Sequence, residues 1–353
     1  MRENNSSMRR PVAVLGATGM VGRRMAGLLA DHPEFELALI VGSPDSEGAS
    51  FESLWKAKED AVREHYGPFW TPEPFPEGLR GRRVSRFEDI LRSEIEVVFS
   101  SVPERAGPLE AKLVESGRTV FSNSPYARFD EGVPVIVPEA NAGVLAPRHR
   151  LVKNPNCVTS GLVILLTPIL QRYGLASVSV TTYQSLSGRG DALYDSSLVV
   201  HNVYSLHGSE ERTEHYIRGE VKKVLGTSAP ISVACYRVDT QEGHLVDVRV
   251  RTVDPIGSRD DVVRLFEEFS PLASLGLHSA PRSPIVVLQE PGRPRPRDDA
   301  WHERGMAVAV GNLSTDDEVH DLRLTYVVNN LVRGAAGGAL LNAELWQHRR
   351  SAR

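Results

Sequence analysis

Residues 11–22 read PVAVLGATGMVG, an apolar run that ends at Gly16 and continues into a glycine-rich loop. A short apolar run that stops at glycine is typical of a buried parallel strand. Glycines at positions 16, 19 and 22 permit a tight turn and let backbone N–H groups approach a pyrophosphate at the start of the following helix. The stretch therefore predicts a dinucleotide loop formed by Gly16, Thr18, Gly19, Met20, Val21 and Gly22.

Further apolar runs follow at residues 35–41, 96–100 and 118–122, with a helical pattern between the first two strands. Strands that alternate with helices predict a doubly wound parallel sheet. We therefore predict an α/β fold whose N-terminal Rossmann-type dinucleotide-binding domain spans residues 9–156.

The pattern changes after Cys157. An apolar helix is predicted over residues 158–170, and residues 246–252 and 322–327 alternate between apolar and polar side chains. Such alternation is typical of an antiparallel sheet with one solvated face. The prediction is an α+β catalytic and dimerisation domain, mainly antiparallel, over residues 157–328. A closing helix over residues 330–346 would lie in a segment, residues 329–353, that returns to the cofactor domain.

The composition excludes several classes of protein. A formal net charge of -4 over 353 residues lacks the clustered positive charge of a nucleic-acid surface. No run reaches the roughly 18 to 20 apolar residues of a membrane helix, and the first seven residues lack the apolar core of an export signal. Two cysteines are too few for a disulfide framework. We expect a cytoplasmic protein that acts on a small molecule, with no nucleic acid, membrane or metal partner.

The residues after the second predicted strand bear on the choice of nicotinamide cofactor. Residues 42–47 read GSPDSE, in which Ser43 and Asp45 occupy the place where a ribose 2′-OH or 2′-phosphate is recognised. A carboxylate accepts hydrogen bonds from a 2′-OH and repels a 2′-phosphate, so Asp45 favours NAD over NADP. The alternative is that Asp45 only forms a turn while Arg23 or Arg24 meets the phosphate.

Cys157 follows Asn-Pro-Asn and precedes the apolar helix. A thiol at a helix N-terminus has its thiolate stabilised by the helix dipole and by free N–H groups, which also suit the oxyanion of a tetrahedral intermediate. An isolated cysteine is equally often a small core residue. Local sequence leaves both interpretations open for Cys157, whereas Cys235 is predicted to be a small residue buried in a strand.

The motifs taken together resemble the aspartate-semialdehyde dehydrogenase family, in its archaeal-type branch related to malonyl-CoA reductase. The resemblance extends nearly from end to end and rests on six stretches in the family's order. They are GATGMVG at 16–22, NPNC at 154–157, QSLSGRG at 184–190, RVDTQEGH at 237–244, VLQEPGRPRPR at 287–297 and NLVRGAAG at 330–337.

The resemblance implies specific roles. Cys157 would be the nucleophile of a thioester enzyme, His244 its acid and base, and Gln184 the residue that orients the acyl group. Arg237 would bind the distal carboxylate of the substrate as a planar fork. Further substrate contacts would come from Asn156 and from Arg128 on the phosphate side. The NAD(P) cofactor would also meet Ser101, Ser187, Gly188 and Asn330.

The chain departs from the family pattern around residues 205–220. There the family has an E-x-x-K pair, in which glutamate meets the substrate's amino group and lysine meets phosphate. Counting back from Glu220 places Thr213 and Tyr216 at these positions, although a shift of one or two residues supplies Glu211 or Glu214. Tyrosine donates a hydrogen bond to an anion but carries no positive charge.

The first hypothesis is a homodimeric or homotetrameric NAD(P)-dependent enzyme that reversibly reduces L-aspartyl 4-phosphate to L-aspartate 4-semialdehyde. With CoA in place of phosphate, the same thioester chemistry would make it an acyl-CoA reductase of the malonyl-CoA type or an enzyme acting on an aspartate-like acid. A non-catalytic dinucleotide-binding regulator is the alternative of another class. The joint presence of Cys157, Gln184, Arg237 and His244 argues against a regulator.

Overall fold

The computed structural model describes residues 9–351. Residues 1–8, on which the expected lack of an export signal depends, lie outside them, as do residues 352 and 353. Within the described chain, the first sheet is parallel and has the strand order β2-β1-β3-β4-β5. Its strands are β1 (Arg10–Leu15), β2 (Phe35–Val41), β3 (Val97–Ser100), β4 (Thr119–Ser122) and β5 (Leu151–Lys153).

β1 lies between β2 and β3, and its residues from Val12 to Leu15 are buried, which explains the unbroken apolar run. The strand order reverses between β1 and β3, so a crevice opens at their carboxyl ends. There the N–H of Ser101 donates to the carbonyl of Leu15 at 2.9 Å. Helices of this part of the chain are α1 (Met20–Ala30), α2 (Phe51–Tyr66), α3 (Phe87–Arg92), α4 (Pro108–Glu115) and α5 (Pro138–Asn141).

The second sheet has the order β10-β11-β12-β9-β6-β8-β7. Four of its six neighbouring pairs are antiparallel, and the pairs β6–β8 and β10–β11 are parallel. The predicted mainly antiparallel α+β sheet is therefore confirmed. Its strands are β6 (Ser177–Gln184), β7 (Val203–Ser205), β8 (Ile231–Val238), β9 (His244–Arg251), β10 (Ile285–Val287), β11 (Val308–Ser314) and β12 (Leu322–Val328).

The long apolar helix α6 (Cys157–Tyr173) packs against this sheet and begins at the cysteine itself, one residue earlier than predicted. The other helices are α7 (Ser196–Val199), α8 (Thr213–Leu225), α9 (Arg259–Glu267), α10 (Pro296–Asp299) and α11 (Gly337–Ser351). Among the helices of residues 9–351, none is both long enough and apolar enough to cross a bilayer.

The closing helix begins later than predicted. The Asn329 side chain accepts hydrogen bonds from the N–H groups of Leu331 and Val332, at 3.1 and 2.8 Å, and so delays regular helix formation. A π-helical turn over Val332–Ala336 follows, and α11 begins at Gly337. Trp346 of α11 packs against Phe121 of the first sheet, with ring centroids 5.9 Å apart. The domain boundaries themselves stay a prediction.

Candidate active site

The loop between β1 and α1 has the geometry that a dinucleotide requires. Gly16 has φ +81°, and a Cβ on Gly22 would lie 2.0 Å from the Gly16 carbonyl oxygen, so a side chain cannot be accommodated there. α1 begins at Met20 without a side-chain cap and without an acidic residue in its first turn. Its free N–H groups and positive dipole end therefore suit the pyrophosphate of a nicotinamide dinucleotide.

A cavity of about 670 Å³ extends from this loop to the start of α6. The crevice between β1 and β3 contributes to its wall, as do the loop after β6 and the turn before α11. Ten of the predicted site residues line it: Gly19, Met20, Val21, Ser101, Arg128, Asn156, Cys157, Ser187, Gly188 and Asn330.

Other predicted cofactor residues lie near the end of β2 and do not line the cavity. Gly42 approaches Thr18 so closely that a Cβ on the glycine would lie 2.9 Å from the Thr18 side chain. Ser43 and Asp45 follow on the exposed rim, Asp45 within a single 3₁₀ turn. The Asp45 carboxylate therefore lies at the surface, four residues beyond the end of β2.

Arg23 and Arg24, the alternative partners of a 2′-phosphate, are both buried and paired with carboxylates. Arg23 binds Glu59 at 2.8 Å, and Arg24 binds Glu73 at 2.8 Å and Glu242 at 3.1 Å. Breaking a buried pair leaves an uncompensated charge. Neither arginine is therefore available to a cofactor phosphate.

Cys157 lies at the first residue of α6, half-buried in the wall of the cavity. The Asn156 side chain caps the helix by accepting the N–H of Val158 at 3.0 Å. The His244 Nε2 atom lies 3.1 Å from the Cys157 Sγ atom. A thiol and an imidazole at hydrogen-bonding distance have the arrangement of an activated nucleophile.

Gly334 lets the turn before α11 pass directly over Cys157. A Cβ at this position would lie 2.5 Å from the Cβ of Cys157 and 2.9 Å from its Cα. No side chain can occupy that space without moving Cys157. Gly334 also lines the cavity, so the turn closes the cavity on one side of Cys157.

His244 is fully buried, and its second ring nitrogen is held by Ser185. The Ser185 N–H donates to His244 Nδ1 at 3.1 Å, and the Ser185 hydroxyl lies 3.1 Å from the same atom. Burial and the positive charge of Arg237 hold the pKa of His244 well below its usual range. A neutral ring whose Nδ1 accepts a hydrogen bond carries its proton on Nε2, so an N–H points at the Cys157 sulfur.

Desolvation dominates the ionisation of Cys157. Burial raises the pKa of the thiol to about 11, although Arg237, the Val158 N–H and Arg128 all act in the opposite direction. The expected stabilisation of the thiolate by the helix N-terminus is thus present but smaller than the effect of burial. Cys235 has no comparable surroundings: as predicted, it is a small residue buried in β8.

Arg237 is buried beside His244, and each of its three guanidinium nitrogens donates one hydrogen bond, which leaves one further N–H on Nη1 and one on Nη2. Nε donates to the Tyr194 hydroxyl at 3.1 Å and Nη1 to the Ser185 carbonyl at 2.7 Å. Nη2 donates to Glu211 at 2.7 Å. The carboxylate expected from the substrate is therefore already represented by Glu211, whose other oxygen, Oε1, is buried without a partner in the described chain.

Glu220 is a buried residue that sequence reasoning used only as a landmark for counting. Its Oε1 accepts from Arg128 at 2.9 Å, and its Oε2 accepts from the Asn156 N–H at 2.7 Å and the Thr159 hydroxyl at 2.8 Å. It thereby ties Arg128 to the loop that carries Cys157. The signal was present, because Glu220 falls on the buried face of α8 at helical spacing from Tyr216 and Ile217.

Two further positions considered in the sequence are Gln184 on β6 and Tyr216 on α8. Gln184 is buried and donates to the Thr182 hydroxyl at 3.0 Å, and it is paired in register with Arg237. The Tyr216 ring lies beside Arg128, with 5.9 Å from the guanidinium carbon to the ring centroid. The position expected to hold a lysine is thus next to Arg128 but carries no charge.

A parallel sheet with a glycine loop, next to a cysteine–histidine pair, defines the class of protein: an NAD(P)-dependent oxidoreductase. The family model described as semialdehyde dehydrogenase, NAD binding domain, matches residues 11–147. The model described as semialdehyde dehydrogenase, dimerisation domain, matches residues 166–333. The chain belongs to the semialdehyde dehydrogenase family, which confirms the resemblance inferred from the motifs.

Full-length relatives support this assignment. The aspartate-semialdehyde dehydrogenase of Methanothermobacter thermautotrophicus is 36% identical over 95% of this chain and 98% of its own. The malonyl CoA reductase (NADP) of Metallosphaera sedula is 32% identical over 94% of this chain and 95% of its own. The crystal structure of aspartate semialdehyde dehydrogenase with NADP from Candida albicans has a TM-score of 0.82 and 28% identity, covering 97% and 99% of the two chains.

Proposed function

We propose that the chain catalyses the reversible, NAD(P)-dependent reduction of L-aspartyl 4-phosphate to L-aspartate 4-semialdehyde through a thioester on Cys157. The observation that carries the proposal is the 3.1 Å approach of His244 Nε2 to Cys157 Sγ, with Cys157 in the wall of the cavity that begins at the dinucleotide loop. The names of the relatives supply the substrate class. Gly19, Met20 and Val21 would hold the pyrophosphate, and Ser187, Gly188 and Asn330 the nicotinamide end.

In the reductive direction the Cys157 sulfur attacks the acyl carbon of the mixed anhydride, and its thiol proton passes to the departing phosphate. A C–S bond forms, the C–O bond to phosphate breaks, and phosphate leaves with the electron pair. The bound nicotinamide supplies a hydride to the thioester carbon. The resulting oxyanion expels the thiolate, which regains a proton, and releases the aldehyde, so the reduction consumes one proton overall.

His244 then serves as a fixed N–H donor rather than as a resting base. Its Nε2–H stabilises the thiolate before attack and after release, and it is within reach of an oxygen on the reacting carbon. Ser185 keeps this tautomer in place through Nδ1. Gln184 would orient the acyl group from the neighbouring strand, and Asn156 would contact the acyl substrate at the start of α6.

The α-carboxylate and α-ammonium groups of the substrate, at the end away from the reacting carbon, would meet Arg237 and Glu211. Arg237 offers a positive charge to the α-carboxylate, and Glu211 offers its unpartnered Oε1 to the α-ammonium group. An amino acid brings both charges and so leaves the pair balanced. A simple dicarboxylic acid would add one uncompensated negative charge.

Tyr216 favours a second candidate, reduction of an acyl-CoA. A thioester substrate has no phosphate on its reacting carbon and does not require a lysine there. In that case CoA leaves as its thiolate when Cys157 attacks, and the remaining steps are unchanged. Phosphate and CoA are thus the co-substrates to be compared.

For the cofactor, Asp45 favours NAD, because Arg23 and Arg24 are occupied and the rim after β2 presents a carboxylate. For assembly, the match to a dimerisation domain supports homo-oligomers, of which a homodimer or homotetramer is the expected form. Two free cysteines, one of them the nucleophile, favour the cytoplasm.

A panel assay tests the function. The purified chain is given aspartate semialdehyde plus phosphate, or malonate semialdehyde plus CoA, each with NAD⁺ and with NADP⁺, and reduced cofactor is followed by absorbance. Turnover of aspartate semialdehyde with phosphate is expected, and none after Cys157→Ala. Absence of that turnover with both cofactors would remove the first assignment, and activity only with CoA would replace it with the second.

A further inference from the structure

The leaving-group side of the site has less positive charge than a phosphate dianion requires. The Arg128 guanidinium is paired with the buried Glu220, Tyr216 contributes a hydroxyl but no charge, and the Arg212 guanidinium lies over the Tyr216 ring at 5.8 Å without lining the cavity. The Arg128 Nε atom, however, is buried without a hydrogen-bond partner in the described residues. A buried donor of this kind requires an acceptor. An anion bound beside Arg128 would therefore have a hydrogen-bond donor but would lack a second positively charged partner.

Arg105 lies where it could supply this second positive charge. It lies in the 3₁₀ turn Glu104–Ala106 of the loop that follows β3, is exposed, and lines the same cavity as Cys157 and Arg128. Arg189 also lines this cavity, but its guanidinium lies over the Tyr194 ring at 4.3 Å. Among the hydrogen bonds and ion pairs of residues 9–351, none engages its side chain. Its guanidinium is therefore available to a ligand in a way that the paired Arg23, Arg24 and Arg128 are not.

The turn that carries Arg105 also touches the uncharged position. The Tyr216 hydroxyl donates to the Glu104 carboxylate at 3.4 Å, which places residue 104 beside the ring that adjoins Arg128. The tyrosine brings no charge to this contact, and Arg105, the residue after Glu104, is the cation of the turn.

We propose that Arg105, together with Arg128, forms the anion subsite that binds inorganic phosphate or the phosphate of the acyl substrate. Arg105 reaches it from the β3 side of the cavity and thereby replaces the positive charge missing at Tyr216. A guanidinium suits this role because its planar fork binds two phosphate oxygens at once. The inference rests on the proposed function for the identity of the anion, but not for the existence of the subsite.

The test is a titration of the full-length protein with inorganic phosphate, followed by ³¹P NMR, in parallel with titrations of CoA and of NAD⁺ and NADP⁺. Arg105→Gln removes the charge and Arg105→Lys retains it. Arg80→Gln is the matched control, because Arg80 is an exposed arginine paired with Glu77 outside the cavity.

For Arg105→Gln, the dissociation constant for phosphate is expected to rise about tenfold. Arg105→Lys and Arg80→Gln should remain within about twofold of the wild type, and nicotinamide binding should not change. Equal phosphate affinity in wild type and Arg105→Gln would overturn the proposal, as would absence of phosphate binding by the wild type. A loss confined to CoA or to the nicotinamide cofactor would overturn it as well.

Failure of the enzymatic assignment gives a different result. Arginine-dependent phosphate binding without turnover of aspartate semialdehyde supports the subsite and rejects the substrate. Turnover in which the KM for phosphate is the same in wild type and Arg105→Gln supports the substrate and rejects the subsite.

Discussion

The Glu220 carboxylate connects Arg128 to the residue that precedes Cys157: Oε1 accepts from Arg128 Nη1 at 2.9 Å, and Oε2 accepts from the Asn156 N–H at 2.7 Å. Burial raises the pKa of Glu220, while Arg128, the Asn156 N–H and the Thr159 hydroxyl oppose this effect. The position of Arg128, which we propose to bind substrate, and the start of α6 thus depend on the same buried group. Loss of that group should affect folding and phosphate binding together.

For Glu220→Gln we expect a fall in the free energy of unfolding of about 2–4 kcal/mol, because Arg128 becomes a buried charge without its counter-ion. Urea denaturation measures this. Glu214→Gln is the control on the same helix, since within residues 9–351 Glu214 pairs with the exposed His207, and a change of about 0.5 kcal/mol or less is expected. Equal losses in the two variants would contradict the role of Glu220.

The reactivity of Cys157 should depend strongly on pH in the free protein. Because its thiol has a pKa of about 11, the thiolate fraction and the rate of alkylation by iodoacetamide should rise about tenfold per pH unit between pH 8 and 10. Mass spectrometry of the modified peptide follows the rate, with the buried Cys235 as internal reference. A rate that is already maximal at pH 7 would show that the Nε2–H of His244 outweighs desolvation.

His244 should make the protein sensitive to acid. Its folded pKa is well below 6.5, so the unfolded chain binds a proton that the native state refuses, and stability falls as pH drops below about 6.5. Between pH 6.5 and 5.5 this contributes about 1 kcal/mol to the loss.

Urea denaturation at the two pH values, on wild type and His244→Asn, measures the contribution of His244. The substituted protein should lose about 1 kcal/mol less than wild type over this interval. His207→Asn is the control, because the His207 side chain is 83% exposed. An unchanged pH dependence in His244→Asn would mean that the ring is protonated in the folded state.

The parts of the fold and the site that could be predicted from the sequence are those that neighbouring residues specify. The glycine loop and the start of α6 were predictable, because a turn and a helix terminus are specified by adjacent residues. Glu220 was accessible in principle from the helical period of α8. The start of α11 was placed too early, because the Asn329 cap is decided by the side-chain geometry of a single residue.

The contacts that tune the chemistry could not be predicted, because they join distant segments. Ser185 and His244 are 59 residues apart, and Glu211 and Arg237 meet across 26. The ionisation of Cys157 also followed from burial by the whole fold rather than from its local position. Sequence indicated which residues gather at the site, and the structure adds which of their charges are already satisfied.

The cofactor preference gives a prediction that depends on Asp45. Asp45→Arg should raise kcat/KM for NADP⁺ and lower it for NAD⁺, changing their ratio by about tenfold or more, since a carboxylate that repels a 2′-phosphate is replaced by a cation that binds it. Steady-state assays with both cofactors measure the ratio. Glu47→Gln is the control, because Glu47 lies on the same rim but is paired with Arg86. An unchanged ratio in Asp45→Arg would remove the basis for the preference for NAD.

Glu211 should decide whether the substrate needs an amino group. One oxygen of Glu211, Oε2, accepts from Arg237 Nη2 at 2.7 Å, and its other oxygen, Oε1, has no partner within residues 9–351. Oε1 can therefore accept the substrate's ammonium group while Arg237 binds the substrate's α-carboxylate. Wild type should therefore prefer aspartate semialdehyde to succinate semialdehyde, its analogue without the amino group.

In Glu211→Gln the ratio of kcat/KM values should shift toward succinate semialdehyde by about tenfold or more. The ammonium group of aspartate semialdehyde loses its charged partner, and the carboxylate of either substrate loses a neighbour that repels it. Glu214→Gln serves as the control three residues further along. A variant that loses activity on both substrates equally would instead make Glu211 a support for Arg237. The ratio of the two substrates distinguishes these roles, because a displaced Arg237 weakens the carboxylate contact that both substrates share, whereas a lost ammonium contact affects only one.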